Sequence, residues 1–242
     1  MRKAEKILQL KITLKGIKPA IWRRFLVKDS ISFEQLHNMI QKIMSWENYH
    51  MSEFQIGDEI ITSDEKNSFN AAESCMHTVI KSPEFHKMVY HLNLSKSQAS
   101  LDVKRLNKIL RNAEKNTPKN RFDMNSATNL LLKTEGQKFR YLYDFGDCWE
   151  HELIIERIFK PEEGKEYPVC IGGERSCPPE DCGGIHGYHD LMMIRRNKKH
   201  PEYKAMIKEW LGEDYDPELF IADWVNAYLH GKKPKAVWVM KK

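Results

Sequence analysis

Residues 139–158 read FRYLYDFGDCWEHELIIERI, and this stretch decides the fold because it predicts a β-hairpin. Every second side chain from residue 139 to residue 145 is aromatic, which is the two-residue period of a strand. Gly146 and Asp147 are residue types that favour a turn. Residues 149–158 then supply the return strand, so we expect an antiparallel pair.

A second hairpin is predicted near the start of the chain. Residues 7–14 alternate apolar and polar side chains, Gly16 and Pro19 turn the chain, and residues 21–27 provide the partner strand. We therefore expect these two strands to pair.

A helix and a third hairpin follow. Ser32 is a candidate N-cap, and Gln35, three residues later, completes a capping-box pattern. Apolar side chains then recur at helical spacing until about Trp46. Beyond the helix, Gly57 and Asp58 separate two short apolar segments, as in a hairpin turn. The first sixty residues thus predict the order β-β-α-β-β.

The stretch 65–135 differs in composition from the rest. It is rich in Lys, Asn, Ser and Glu; the apolar residues at 101–110 predict at least one helix, and Pro118 indicates a loop. We expect this stretch to be a helical insertion or subdomain within one domain that spans residues 1–242. The C-terminal part is also predicted to be helical, with Pro201 at a helix start and Gly212 at its end. Asp216-Pro217 would begin the last helix.

These elements predict an α+β fold, in which a mixed or antiparallel sheet of hairpins has helices packed on one face. The chain of 242 residues is 41% hydrophobic and 30% charged, which is ordinary for a globular protein. No apolar run approaches the roughly 20 residues that a membrane-spanning helix needs. The first residues lead into a strand rather than an apolar signal core, so we predict a cytoplasmic protein without a membrane partner.

The charge is unevenly distributed. Residues 1–30 hold nine Lys or Arg against two acidic residues, whereas residues 144–186 hold eleven acidic residues against four Lys or Arg. A basic segment can meet nucleic acid. Because no folded basic motif accompanies it, nucleic acid is a partner that the sequence does not favour.

Three segments carry a family resemblance: residues 16–24 (GIKPAIWRR), 143–152 (YDFGDCWEHE) and 167–184 (YPVCIGGERSCPPEDCGG). At these residues the sequence resembles the Ri-plasmid ORF-3-like family. The resemblance implies a compact α+β domain and no established activity; some members are labelled resolvase-like from their mobile-element context. The chain departs from the family pattern at His50 and Ser52, where relatives usually carry two histidines that bracket one residue.

A bound metal is the sharpest chemical hypothesis. The five cysteines predict free thiols or metal ligands rather than disulfides in a cytoplasmic chain. Cys170, Cys177 and Cys182 lie in a loop rich in Gly and Pro, and His151 would complete a tetrahedral zinc site. The spacing lacks C-x2-C pairs, and His151 shares its strand face with apolar residues, which favours a core role. Zinc is the one cofactor predicted.

A candidate acidic site is formed by Asp144, Asp147, Glu180 and Asp181. Carboxylates bind hard cations and perform acid–base chemistry. The competing interpretation is conformational, since aspartate is common in turns and Glu180-Asp181 could cap a helix. We expect the loop 167–187 to fold against the turn 143–151, so that thiols and carboxylates share one pocket.

The enzyme motifs that are easiest to recognise are missing. The sequence has no G-x-S-x-G elbow, P-loop or dinucleotide-binding glycine pattern. Its two arginine pairs lack the nucleophile that a recombinase needs. The leading hypothesis is a non-enzymatic binding or scaffold module with a structural zinc site. The alternatives are a nucleic-acid-associated protein of mobile-element context and a metal-dependent hydrolase that uses His151 with the carboxylates.

Overall fold

The computed structural model describes residues 4–62 and 120–232 of the chain. Within these residues eight strands form one sheet with the spatial order β5-β4-β3-β6-β7-β1-β2-β8. Strands β4 and β5 run parallel, and every other neighbouring pair is antiparallel, so the sheet is mixed. The strands are β1 Ile7–Leu14, β2 Ile21–Lys28, β3 Ser52–Ile56, β4 Glu59–Thr62, β5 Asn120–Asp123, β6 Lys138–Tyr143, β7 Trp149–Phe159 and β8 Val169–Glu174.

The three predicted hairpins are confirmed as β1–β2, β3–β4 and β6–β7. Strand β8 was not predicted, because Gly172 and Gly173 interrupt the alternation that marks a strand. It pairs with β2 at the edge of the sheet, so the segment predicted to be a loop begins with a strand.

Helix α1, Phe33–Met44, starts with the predicted capping box. The Ser32 hydroxyl accepts a hydrogen bond from the Gln35 backbone N–H at 3.1 Å, and the Gln35 side chain accepts one from the Ser32 N–H at 2.9 Å. The helix ends where Ser45 adopts a left-handed backbone conformation. Its apolar side chains are buried in the same core as the inner residues of β1.

The C-terminal half contains helix α2 (Gly184–Arg196), a π-helical segment (Lys204–Leu211) and helix α3 (Ala222–Leu229). Gly212 ends the π-helical segment, as predicted. The predicted start of the last helix at Asp216-Pro217 is wrong. Ser176 explains the difference. Its N–H donates to the carbonyl of Pro217, and its single hydroxyl proton is shared between the carbonyls of Asp216 and Leu219, at 2.7 Å and 2.9 Å. Residues 216–219 are therefore held as a loop.

One row of buried side chains crosses six neighbouring strands on the face that helix α1 covers. Its members are register partners, and each is at most 1% exposed: Ile61, Phe54, Tyr141, His151, Leu14 and Ile21. The opposite face is polar, and there Arg24 pairs with Glu156 at 2.6 Å. The predicted α+β class, with helices on one face, is confirmed.

Most of the stretch 65–135 lies outside the described residues, including residues 101–110 and Pro118, so the helical insertion stays a prediction. In the described part of this stretch, residues 120–123 form β5, and Thr128–Leu130 form one turn of 3-10 helix. Across residues 4–62 and 120–232, every helix is too short or too polar to cross a lipid bilayer.

Candidate functional site

The loop after β8 folds against the turn between β6 and β7, as predicted. The backbone N–H of Gly183 donates to Oδ2 of Asp147 at 3.1 Å. A Cβ atom at Gly184 would lie 2.5 Å from the carbonyl oxygen of Asp147, so the two backbones touch there. Gly184 also has a φ of +67°, a conformation in which glycine avoids the steric strain of other residues.

Two of the predicted acidic residues meet a histidine at this junction. Nε2 of His50 lies 3.1 Å from Oδ1 of Asp181 and 3.6 Å from Oδ2 of Asp144. One ligand atom from each residue lies within 4.8 Å of the others, and in the described ranges this is the one group of His, Cys, Asp or Glu with metal-ligand spacing. Asp144 is only 6% exposed, and its other oxygen accepts a hydrogen bond from the N–H of Gly146 at 2.8 Å.

Asp147 lies in the same turn as Asp144, next to the group formed by His50, Asp144 and Asp181. Burial raises the pKa of Asp147, and the negative charges of Asp144 and Asp181 raise it further. Hydrogen bonds from the N–H groups of Gly184 and Gly183 act in the opposite direction. Three carboxylates therefore crowd into one corner of the molecule.

Glu180, the fourth predicted acidic residue, points elsewhere. It is 4% exposed, accepts a hydrogen bond from the hydroxyl of Tyr143 and another from the N–H of Glu47 at 2.8 Å. Burial, followed by the charge and hydrogen bond of Glu180, raises the pKa of Tyr143, so its phenol stays protonated and donates. Glu180 thus fixes the loop against β6 and the segment after α1.

His151 is a core residue rather than an accessible ligand. Its ring is fully buried, stands edge-on to Trp46 with 5.3 Å between ring centroids, and places Nδ1 3.3 Å from the carbonyl oxygen of Tyr141. Burial lowers the pKa of His151 to about 3, so the imidazole is neutral. This placement gives no support to a hydrolase that uses His151.

The thiols of the predicted zinc site face different neighbours. Sγ of Cys177 lies 3.2 Å from the Arg23 guanidinium and 3.6 Å from Sδ of Met44. Those of Cys170 and Cys182 face backbone carbonyls of nearby glycines. The metal-spaced group in the described part of the chain contains none of these thiols and not His151.

All three thiols are free, and burial raises the pKa of each, so they are protonated at neutral pH. Cys148 is disulfide-bonded, so the expectation of free thiols is wrong at that position.

A cleft of about 550 Å³ opens beside the docked loop. Its walls come from the C-terminal end of α1, the loop after β8 and the segment that leads into α3. The lining is mainly apolar and aromatic: Met44, Trp46, Tyr49, Pro178, Pro179, Leu211, Tyr215, Leu219, Phe220, Ile221, Trp224, Val225 and Tyr228. Charge is added to the same walls by Arg23, Lys42, Glu47, Glu180 and Asp216.

Arg23 lines this cleft and hydrogen-bonds the backbone around it. It is 3% exposed and donates to the carbonyl oxygens of Trp22 (2.8 Å), Ile43 (3.2 Å), Glu174 (2.8 Å) and Arg175 (2.7 Å). From the sequence, Arg23 was considered only as part of one of two arginine pairs, and this role was not predicted. The pairing of β2 with β8 contains a bulge next to Arg24. Because this pairing joins segments that are distant in sequence, the residues around Arg23 do not predict it.

The sheet order, the docked loop and the cleft define an α+β protein built around one mixed sheet with a ligand-sized recess. The chain belongs to the plasmid pRiA4b ORF-3-like protein family, whose model matches residues 6–223. It is 29% identical over 211 residues to the uncharacterized protein y4hQ of Sinorhizobium fredii (strain NBRC 101917 / NGR234), covering 87% of this chain and 84% of that protein. It also resembles the crystal structure of a protein of unknown function, MM3350, from Methanosarcina mazei Go1. That similarity has a TM-score of 0.66 and 28% identity, over 91% of this chain and 98% of the other.

Proposed function

We propose that this protein is a non-enzymatic binding module that holds a small, largely apolar, ring-bearing molecule in the cleft between α1 and α3. The observation that carries the proposal is the aromatic lining of a recess of about 550 Å³. Sites for small organic ligands are concave, mostly apolar and between roughly 300 and 1,000 Å³ in volume.

The ligand class follows from the side chains. Phe220 and Trp224 line the cleft and are only partly buried, so they offer ring faces and edges, which pair with other rings in stacked or edge-on arrangements. Five lining residues are charged, but Arg23 and Glu180 are already hydrogen-bonded within the protein, and the remaining lining is mainly apolar. An apolar ring system therefore suits the cleft better than a highly charged molecule.

The cleft is supported by groups that are themselves fixed. Trp46 is 3% exposed, and its indole N–H donates to the carbonyl of Pro178 at 2.9 Å. Arg23 stacks on Phe220 with 4.4 Å to the ring centroid. A site whose walls are held in this way loses less conformational freedom when a ligand binds.

Binding of 8-anilinonaphthalene-1-sulfonate, a ring-bearing fluorescent probe, tests the proposal. We expect one molecule per chain to bind, with loss of at least about tenfold in affinity in Trp224→Ala, since one buried aromatic contact contributes on the order of 1.4 kcal/mol. Trp210→Ala is the matched control, because Trp210 is 37% exposed and does not line the cleft. Equal affinity of both variants and the wild type would show that the cleft does not hold the probe.

Zinc held by Cys170, Cys177, Cys182 and His151 remains a weaker proposal. The protonated, separately packed thiols would have to rearrange before they could share an ion. Cytoplasmic location likewise stays a prediction of the sequence.

A further inference from the structure

We propose that His50, Asp144 and Asp181 form a binding site for a divalent cation of the zinc class. This site is independent of the proposed cleft ligand and of the four residues predicted from the cysteine spacing. It is assembled from three segments: the one before β3, the turn after β6 and the loop after β8.

The distances fit a single ion. Zinc binds imidazole nitrogen and carboxylate oxygen at roughly 2.0–2.2 Å, so two ligand atoms of one tetrahedral ion lie about 3.3 Å apart. The distances from His50 Nε2 to the two carboxylate oxygens, 3.1 Å and 3.6 Å, lie on either side of that value. The two carboxylate oxygens lie within 4.8 Å of each other, so one ion would reach all three side chains once the carboxylates move closer together.

The imidazole points into this group without a hydrogen-bond partner. Nε2 of His50 is shielded from solvent, and its contacts with the two carboxylate oxygens, at 3.1 Å and 3.6 Å, do not have hydrogen-bond geometry. The side chain as a whole is 29% exposed. The ring is held edge-on to Tyr143, with 5.8 Å between centroids. A shielded nitrogen costs free energy unless something binds it, and a cation between the carboxylates would do so.

The local charge also favours a cation. Within residues 4–62 and 120–232, no lysine or arginine forms an ion pair with Asp144, Asp147 or Asp181. A bound divalent ion would offset this accumulation of negative charge.

The ligand types select the class of metal. An imidazole with two carboxylates suits zinc and neighbouring transition metals, whereas calcium and magnesium prefer sites made only of oxygen. Three protein ligands leave a fourth tetrahedral position for water or another molecule. Tyr49 and Glu180, the chain neighbours of His50 and Asp181, line the cleft.

The test is a calorimetric titration of the metal-free, purified full-length chain with Zn²⁺. We expect one equivalent to bind, with affinity reduced about tenfold or more in Asp181→Asn and in His50→Gln, because loss of a direct ligand should weaken binding at least as much as loss of an outer partner. Asp181 is 68% exposed, so its substitution should leave the fold intact. The control is Asp190→Asn, the same chemical change on the exposed face of α2, which should bind as the wild type does.

Titration with Co²⁺ separates this site from the thiols. A cobalt ion at His50, Asp144 and Asp181 should show ligand-field bands without thiolate-to-cobalt charge transfer. Strong charge-transfer absorption would place the ion on cysteines and overturn the proposal. So would the absence of stoichiometric Zn²⁺ binding, or a loss of affinity in the control Asp190→Asn as large as that in Asp181→Asn and His50→Gln.

Discussion

The imidazole of His151 is neutral in the folded protein, and this makes stability depend on pH. Burial lowers its pKa from 6.5 to about 3, so between these values the unfolded chain binds a proton that the folded chain does not. The free energy of unfolding must then fall as the pH is lowered from about 6.5 towards 3. Burial also lowers the pKa of His37, which acts in the same direction.

We expect His151→Gln to reduce this loss of stability on acidification. The measurement is the difference in unfolding free energy between pH 7.5 and pH 5, from urea denaturation of the variant and the wild type. His189→Gln, at an exposed position on α2, should retain the wild-type difference. An identical pH dependence in all three proteins would show that His151 is not buried in the folded state.

Arg23 and Arg24 are adjacent in sequence, but their contacts differ. Removing the guanidinium in Arg23→Met leaves several buried carbonyl groups without a donor, and we expect a loss of about 2–4 kcal/mol. Arg24→Met removes an ion pair with Glu156 in which the two side chains are 32% and 20% exposed, and it should cost about 0.5–1 kcal/mol. Chemical denaturation checks both values. A larger effect at Arg24 would contradict the assigned burial of Arg23.

At the scale of elements, the contact between the docked loop and the β6–β7 turn depends on Gly184. In Gly184→Ala the new methyl group would meet the carbonyl of Asp147, so the loop has to move. Gly164→Ala is the control, because Gly164 also has positive φ but no atom within 4 Å of its added Cβ. We expect the control to lose roughly 1–2 kcal/mol from backbone strain and Gly184→Ala to lose clearly more. Equal losses, measured by urea denaturation, would mean that the loop is not docked.

The elements that sequence predicted correctly are those whose signal is local. The alternation in β6 and β7, the capping box of α1 and the stop at Gly212 each lie within a few residues. The start of the last helix was predicted wrongly because Ser176, distant in sequence, hydrogen-bonds the carbonyls of Asp216 and Leu219.

The same distinction explains the candidate site. The segments that meet could be predicted, since loop 167–187 and the turn carry most of the chemistry-bearing residues. Which of these side chains contact one another could not be predicted, because Glu180 and Asp181 are sequence neighbours that face different surroundings. His50 entered only as part of an incomplete histidine pair, since nothing in the local sequence links it to Asp144.

For the whole molecule, the strand order implies that the N-terminal and C-terminal parts of the described chain fold together. The β1–β2 hairpin lies between β7 and β8, which come from the other half. We therefore expect thermal unfolding followed by far-UV circular dichroism and by tryptophan fluorescence to give one coincident transition. Two separated transitions would indicate that the halves fold independently.

The position of β1 also has a consequence during translation. Residues 7–14 emerge from the ribosome early, yet one of their two neighbouring strands is complete only after residue 159 has been made. Until then the nascent hairpin exposes an unpaired edge and the apolar side chains of its inner face. We therefore expect the growing chain to be most prone to aggregation in the interval before β7 has emerged.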